Sequence, residues 1–403
     1  MEEVFKGSFT QQLPLPEASI AAATEVMRSG RLHRYNLGPG EEGEVAALER
    51  EFAAWLGTRY CVALASGGAA MGIALRALGV GPGVPVLSNA FTLAPVPGAI
   101  AAVGARPVFV GMTNALTIDL EDLAAKAEQS GACVLLLSHM RGHICDMDRL
   151  MGICDSAGIA VVEDCAHTMG ARWRGVYSGR HGQVACYSTQ TYKHMNSGEG
   201  GFLTTDDPET AARAVLLSGS YMLYGRHGAA PASEVFEGLK LQTPNVSSRM
   251  DHLRAAILRP QLARLDADCT AWTERYRTVE TGLRNVPGLT LIDRPEEEAF
   301  VGSSIQFLLL DWAEGDVLGV IEGCAARGVE LKWFGADRPH GFTSTYGHWR
   351  YAESAPMPET DRLLRGLMDM RLPLTFSLED CALLARIIAD EVGKTRKRGL
   401  AAE

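Results

Sequence analysis

From Val45 to about Val215 the chain alternates between two hydrophobic periods. Apolar residues three and four apart predict helices; short unbroken apolar runs predict buried strands. Val45–Leu56 reads as an amphipathic helix, and Tyr60–Ala65 as a strand. Helix Gly68–Leu78, strand Val84–Leu87, helix Thr92–Val103 and strand Pro107–Val110 follow. Then come helix Leu120–Glu128, strand Cys133–Ser138, helix Asp146–Ala157 and strand Ile159–Glu163. Val184–Ser188 and Gly201–Thr204 read as two more strands. Strands alternating with helices imply crossover units and a largely parallel sheet.

The pattern changes near Arg249. The run "RMDHLRAAILRPQLARLDADCTAWTERYRTVETGLRNV" reads as one long helix with a kink at Pro260. After it come "TLIDRP", "SIQFLLLDW", a helix Gly315–Arg327 and a last helix Glu379–Val392. The expected organisation is a large α/β domain over residues 1–248. A smaller C-terminal α/β domain, entered through the long helix, takes 249–403. No internal repeat or low-complexity linker is visible.

Composition narrows the function classes. The chain has 403 residues, 47% hydrophobic, and a net charge of −10, enough length for two domains with sizeable cores. No Lys/Arg run makes a phosphate-backbone track, which argues against nucleic acid. The one basic cluster, Lys394 to Arg398, reads as a solvated tail at a frayed end. The N-terminus opens with Glu2 and Glu3 and has no apolar core, so no signal peptide is expected. No stretch of about 18 uninterrupted apolar residues exists, so no membrane span is expected. Nine scattered cysteines form no CxxC pair. They fit a reduced, cytoplasmic protein without a metal site.

Three places carry candidate chemistry. Asp164 ends the apolar strand of "IAVVEDCAH", where open parallel sheets put their ligands; it is a helix cap or a site residue. His167 follows it. Ser66-Gly67-Gly68 sits between a strand and a helix, as a plain crossover turn or as a phosphate seat of bare amides. Lys193, in "CYSTQTYKHMNSGEGGFLTTDD", stands between an apolar strand and a glycine turn. A solvated surface lysine is the bland reading. Together the three are the parts that a pyridoxal phosphate site needs. Amides hold the phosphate, a carboxylate keeps the pyridine nitrogen protonated, and an amine forms a Schiff base with the aldehyde.

At this point the sequence resembles a known family. "RSGRLHRYNLGPGEEGEVAALEREFAAWLGTRYCVALASGGAAMGIALRALGVGPG", "VEDCAHTMGA", "YSTQTYKHMNSGEGGFLTTDD", "SSRMDHLRAAILRPQL" and "LPLT" resemble motifs of the DegT/DnrJ/StrS sugar aminotransferases. Those enzymes have the fold type I of pyridoxal-phosphate enzymes, in the aspartate aminotransferase superfamily. The resemblance covers almost the whole chain and implies roles by position. Lys193 is the internal-aldimine lysine and the base for the proton shift. Asp164 pairs with the pyridine nitrogen, and His167 lies by the ring and its 3′-oxygen. Ser188 and the turn Ser66, Gly67 and Gly68 hold the phosphate, with the Gly198–Gly201 turn packed near the lysine segment. A homodimer completes each site, with Asn245 or Ser247 reaching the partner's phosphate.

Three positions depart from the family pattern. Gly68 stands where a Thr is usual. Leu93 follows Thr92 where a ring-stacking aromatic is usual. Ser247 stands where an Asn is usual, with Asn245 nearby.

The implied function is ping-pong transfer of an amino group. The donor is L-glutamate or glutamine, and the acceptor is a carbonyl on a sugar or sugar-like molecule. The rivals are a dehydratase of the family, whose members carry His in place of the lysine, and a non-catalytic cofactor-binding regulator. Weaker candidates are Arg34 and Tyr35 near a substrate, and His139, Arg141 and His143 after a strand end. The loop "KWFGADRPHGFTSTYGHW" is expected as a substrate-facing lid.

Overall fold

The computed structural model describes residues 2–38 and 40–402, with side chains to residue 397. A seven-stranded sheet carries the larger part of the molecule. Its strand order is Tyr60–Leu64, Gly201–Thr205, Val184–Ser188, Ala160–Asp164, Val134–Ser138, Pro85–Asn89, Arg106–Val110. The expected parallel sheet is present with one exception. Gly201–Thr205 runs antiparallel to both its neighbours, because the irregular loop 189–200, not a crossover helix, joins it to Val184–Ser188. Apolar side chains fill both faces. Leu87, Leu135, Leu137 and Ala185 belong to one core, and Val86, Val134, Leu136 and Val184 to the other. Burial on both faces explains why these strands read as continuous apolar runs.

Most expected elements lie within a few residues of their positions. The helix expected from Thr92 is Pro95–Ala102, with Pro95 in its first turn, a position where the missing N–H costs nothing. Thr92 and Leu93 therefore sit in the loop that precedes it. The single long helix is in fact two, His252–Leu262 and Leu265–Leu283. Pro260 lies inside the first, and the break comes three residues later, at Ala263. The C-terminal helix runs Leu378–Ala402, well past the expected Val392. Its Lys394 is no free tail residue, because its Nζ pairs with Asp390 and Glu391 at 2.9 Å.

A second, four-stranded antiparallel sheet has the order Thr290–Leu291, Ser304–Leu308, Leu367–Arg371, Lys332–Trp333. Ile305, Phe307, Met368 and Met370 are buried with residues of the helices Leu265–Leu283, Glu314–Ala326 and Leu378–Ala402. The N-terminal residues Phe5 and Phe9 join this core, each edge-on to Phe376 at 4.9 and 5.0 Å.

Arg34 and Tyr35 do not line this chain's main cavity. Arg34 makes a bidentate pair with Glu49, at 2.9 Å for both contacts, and both side chains are buried. His227 Nε2 lies 3.2 Å from the same carboxylate, and Tyr35 Oη 3.1 Å from His227 Nδ1. Burial raises the Glu49 pKa, but Arg34 and His227 outweigh it and hold the group at about 2. The carboxylate therefore contributes stability above its ordinary value of 4.5, and that contribution is lost as pH falls toward about 2. Glu49→Gln should strand a buried guanidinium and cost about 3–5 kcal/mol. Urea denaturation of the variant at neutral pH measures it.

Candidate active site

A cavity of about 450 Å³ opens at the carboxyl ends of the large sheet's strands. Ser66 follows one strand; Ser138, Asp164 and Ser188 each end one; all four line the cavity. This is the crevice where open α/β sheets bind ligands.

The helix Gly67–Ala77 starts at the cavity, capped by Ser66, whose Oγ accepts from the Ala69 amide at 3.0 Å. The first-turn amides of Gly67 and Gly68 have no intrahelical acceptor. A Cβ on Gly67 would come within 2.9 Å of Ser188 Cβ, so glycine there lets the turn approach the lysine-bearing segment. Gly68 is different. A Cβ there would meet nothing nearer than Ser66 Oγ at 3.8 Å, so the unusual glycine leaves open space beside the turn.

Asp164 is buried, at 7% exposure. Ser138 Oγ donates to its Oδ2 at 3.0 Å and the Ala166 amide to its Oδ1 at 3.1 Å. It forms no ion pair among the described residues. Burial raises its pKa, and Lys193 is the main opposing influence. Its neighbour Glu163 points to the opposite face, as strand alternation requires. There it accepts from the Gly179, His181 and Gly182 amides and meets His139 Nε2 at 3.0 Å.

Lys193 Nζ lies 2.8 Å from His167 Nε2. The Arg141 amide donates to His167 Nδ1 at 3.3 Å, so Nδ1 carries no proton. A neutral imidazole then carries its proton on Nε2 and donates to Lys193, whose nitrogen must accept as a free amine. The charge balance agrees. Burial lowers the Lys193 pKa to about 7; Asp164 opposes this, while Arg141, Arg371 and Lys332 add to it. Burial and then Lys193 hold His167 well below its usual range, as a neutral ring. The solvated-lysine reading of the sequence is thereby corrected.

Of the other candidates, Leu93 lines the cavity as an aliphatic wall and Arg141 faces it. His139 and His143 do not; each is buried, His143 against Gln306 Oε1 at 2.8 Å. Asn245 and Ser247 are absent from this chain's cavity lining. They sit in an exposed loop where Asn245 Oδ1 accepts the Ser247 amide at 2.9 Å. The expected lid loop divides its roles. Phe334, Tyr346 and Trp349 are core residues, whereas Lys332, Gly341, Phe342 and Ser344 border the cavity. Sequence reading passed over Tyr192, Asp369 and Arg371. The alternation in "LMDMR" is the signal that marks Asp369 and Arg371 as one face of a strand.

The profile of the "DegT/DnrJ/EryC1/StrS aminotransferase family" matches residues 15–388. The chain belongs to this family. A dTDP-3-amino-3,4,6-trideoxy-alpha-D-glucose transaminase of Streptomyces venezuelae is 36% identical over 279 residues, 67% of this chain and 66% of that protein. Among solved structures, 3-amino-5-hydroxybenzoic acid synthase superposes with a TM-score of 0.81 at 26% identity, over 98% of this chain and 100% of that one. DesV of S. venezuelae, in complex with a ketimine intermediate, gives 0.77 at 28%, over 92% and 93%. The large mixed sheet with its smaller companion is thus the fold type I of these DegT/DnrJ/EryC1/StrS aminotransferases. Among the described residues, no helix is long and apolar enough to cross a membrane.

Proposed function

We propose that the protein is a pyridoxal-phosphate-dependent transaminase. It would move an amino group from L-glutamate or glutamine to a carbonyl of a sugar or sugar-like acceptor, by ping-pong chemistry. The observation that carries the reading is Lys193, a partly buried amine whose pKa is lowered to about 7 beside His167, while the buried Asp164 forms no ion pair.

The site fits the cofactor by donor chemistry. Asp164 calls for a positive partner, which a protonated pyridine nitrogen supplies. Ser66, Gly67, Gly68 and Ser188 would hold the phosphate at the helix start. Leu93 would cover the ring, and His167 would flank it. When bound, pyridoxal phosphate supplies the electron sink that stabilises a carbanion beside the amine. The chain's own work is then positional. Asp164 fixes charge at one end, the cradle fixes the other, and Lys193 Nζ takes and returns the Cα proton. His167 orients that amine. Purified protein should be yellow, and borohydride should fix the bound group to the Lys193 peptide; a label on another peptide would refute the assignment. L-Glutamate should change the absorbance.

The same reading divides the chain into a cofactor-binding part, 1–248, and a second part, 249–403. It also has two copies sharing each site. Tyr221, Met222, Leu241 and Val246 are exposed on the segment that carries Asn245 and Ser247, an apolar surface suited to a second copy. Mixing Lys193→Ala with an Asn245→Asp/Ser247→Asp double variant tests the sharing. With random exchange, half the dimers are mixed and each has one intact site, so about a quarter of wild-type activity should return. No recovery, with exchange confirmed, would exclude shared sites. The nine cysteines, all free and all but Cys133 buried, support a reduced cytoplasmic setting.

A further inference from the structure

Lys193 has little regular structure to stand on. It lies in the irregular loop 189–200, between the strands Val184–Ser188 and Gly201–Thr205. Main-chain bonds close the base of this loop. The Ser197 amide donates to the Thr189 carbonyl at 2.9 Å, and the Thr191 amide to the Gly198 carbonyl at 3.1 Å. In the bulge beyond them, the Lys193 amide donates back to the Gln190 carbonyl at 2.8 Å. These bonds join the loop to itself and do not place it against the rest of the protein.

Gln261 does. The Asn196 amide donates to Gln261 Oε1, and Gln261 Nε2 donates to the Asn196 carbonyl, each at 2.8 Å. The side chain thus pairs with both polar groups of one residue, as an antiparallel strand would. Nε2 also donates to the Ile257 carbonyl of its own helix, His252–Leu262, at 2.9 Å. That bond fixes which way the amide faces, since exchanging its oxygen and nitrogen would set like groups together at all three contacts. Gln261 is 9% exposed. Among the described residues, no other side chain from outside the loop bonds its main chain between Tyr192 and Asn196.

Packing alone would leave the loop room to shift. A second cavity, of about 60 Å³, lies behind it, bordered by Lys193, His194, Asn196, Gln261 and Trp272. Lys193 therefore borders a cavity on either side. The His194 side chain adds a looser hold, with Nε2 3.2 Å from Ser303 Oγ and Nδ1 without a partner. Gln261 borders only the rear cavity, so it acts on the chemistry through the loop and not by contact.

We propose that Gln261 is a positioning residue: by gripping the Asn196 main chain, it holds the Lys193 amine in its desolvated place beside His167. The inference rests on the transaminase reading, in which that amine is the reacting group. Without the grip the loop relaxes toward the rear cavity, Nζ gains water, and the amine regains its affinity for a proton.

The test is the pH dependence of pyridoxal phosphate capture by the full-length apoprotein. Borohydride traps the product, the label is read on the Lys193 peptide, and circular dichroism normalises to folded protein. Wild type should show a midpoint at about 7. Gln261→Met is similar in length and cannot make the pair. Its midpoint should rise by about one unit or more, so that capture at about pH 6 slows roughly tenfold. Above both midpoints the two rates should converge. Gln261→Glu is the rescue, and it serves equally should the methionine variant not fold. A protonated carboxyl keeps one acceptor and one donor where the amide had them; an ionised one has acceptors only. Burial keeps it protonated in mild acid. Gln261→Glu should therefore match wild type at about pH 5.5 and fall behind as the carboxyl ionises. With cofactor bound, Gln261→Met should lower the maximal rate of the glutamate half-reaction about tenfold or more, as misplacement of a reacting group does, and leave the half-saturating glutamate concentration unchanged. An unchanged midpoint in folded Gln261→Met, or a loss equal at every pH, overturns the assignment and leaves Gln261 a purely structural bond. So does a Gln261→Glu profile parallel to wild type throughout. Failure of the transaminase reading is separate, since wild type itself would then give no label on Lys193.

Discussion

Lys193→Ala should lose transamination by about 10⁴-fold or more, the upper end of what a positioned acid–base group contributes, because one amine serves as both covalent anchor and base. The surroundings of Lys193 are arranged for a neutral nitrogen. Its pKa is lowered to about 7, and the His167 tautomer fixed by the Arg141 amide presents a proton to it. Alanine removes the nitrogen and leaves His167 Nε2 without its partner. His167 cannot substitute, because burial keeps the ring from gaining a proton. Stopped-flow absorbance with glutamate reads the rate, and circular dichroism checks that the fold survives. A small amine such as methylamine should restore part of the rate, since it fits the vacated space. In the wild-type apoprotein, covalent capture of pyridoxal phosphate should rise as pH increases through about 7, because only the unprotonated amine attacks. A variant within tenfold of wild type would show that the proton moves elsewhere.

Much of the large sheet was legible because its strands are buried on both faces. Runs such as "VLLLS" and "VACYS" are buried throughout, and nothing polar interrupts the signal. The strand-end positions of Asp164 and Ser188 followed from the same runs. The antiparallel strand Gly201–Thr205 was not distinguishable, since periodicity carries no direction. Pro260 was visible, but where a helix breaks depends on packing beyond the proline, and here the break falls at Ala263. The second sheet was the least legible. Lys332–Trp333 spans two residues and Leu367–Arg371 five, too short for a period to stand out. Its polar face joins residues far apart in sequence, Arg141 to Asp369 and His143 to Gln306. Only folding brings those charges together. The burial of Arg34 was illegible for the opposite reason. It sits in a polar, glycine-rich loop, yet Glu49 draws it into the interior.

Asp164→Asn should keep the fold and retain bound cofactor, yet lower transamination by about 10³-fold, comparable to removing a pre-placed electrostatic partner from a water-poor site. The substitution changes charge with almost no change in shape. The amide oxygen can still accept from Ala166, where Asp164 Oδ1 now does, and the Ser138 hydroxyl can rotate to accept from the new NH₂ at the Oδ2 position. Packing and hydrogen bonds are thus satisfied, so a stability change is not expected to confuse the result. What disappears is the only negative charge that this strand end turns toward the cavity. A buried carboxylate without a cation is costly, and its raised pKa records that cost. A protonated pyridine nitrogen relieves it, and the carboxylate in turn keeps that nitrogen protonated. Asparagine cannot do so, and the electron sink is lost while the lysine, the cradle and the cavity remain. The measurements are cofactor content, melting temperature and the single-turnover rate with glutamate. Retained cofactor with near-normal turnover would reduce Asp164 to a cap for the Ala166 turn, and the assignment of the site's charge would then be wrong.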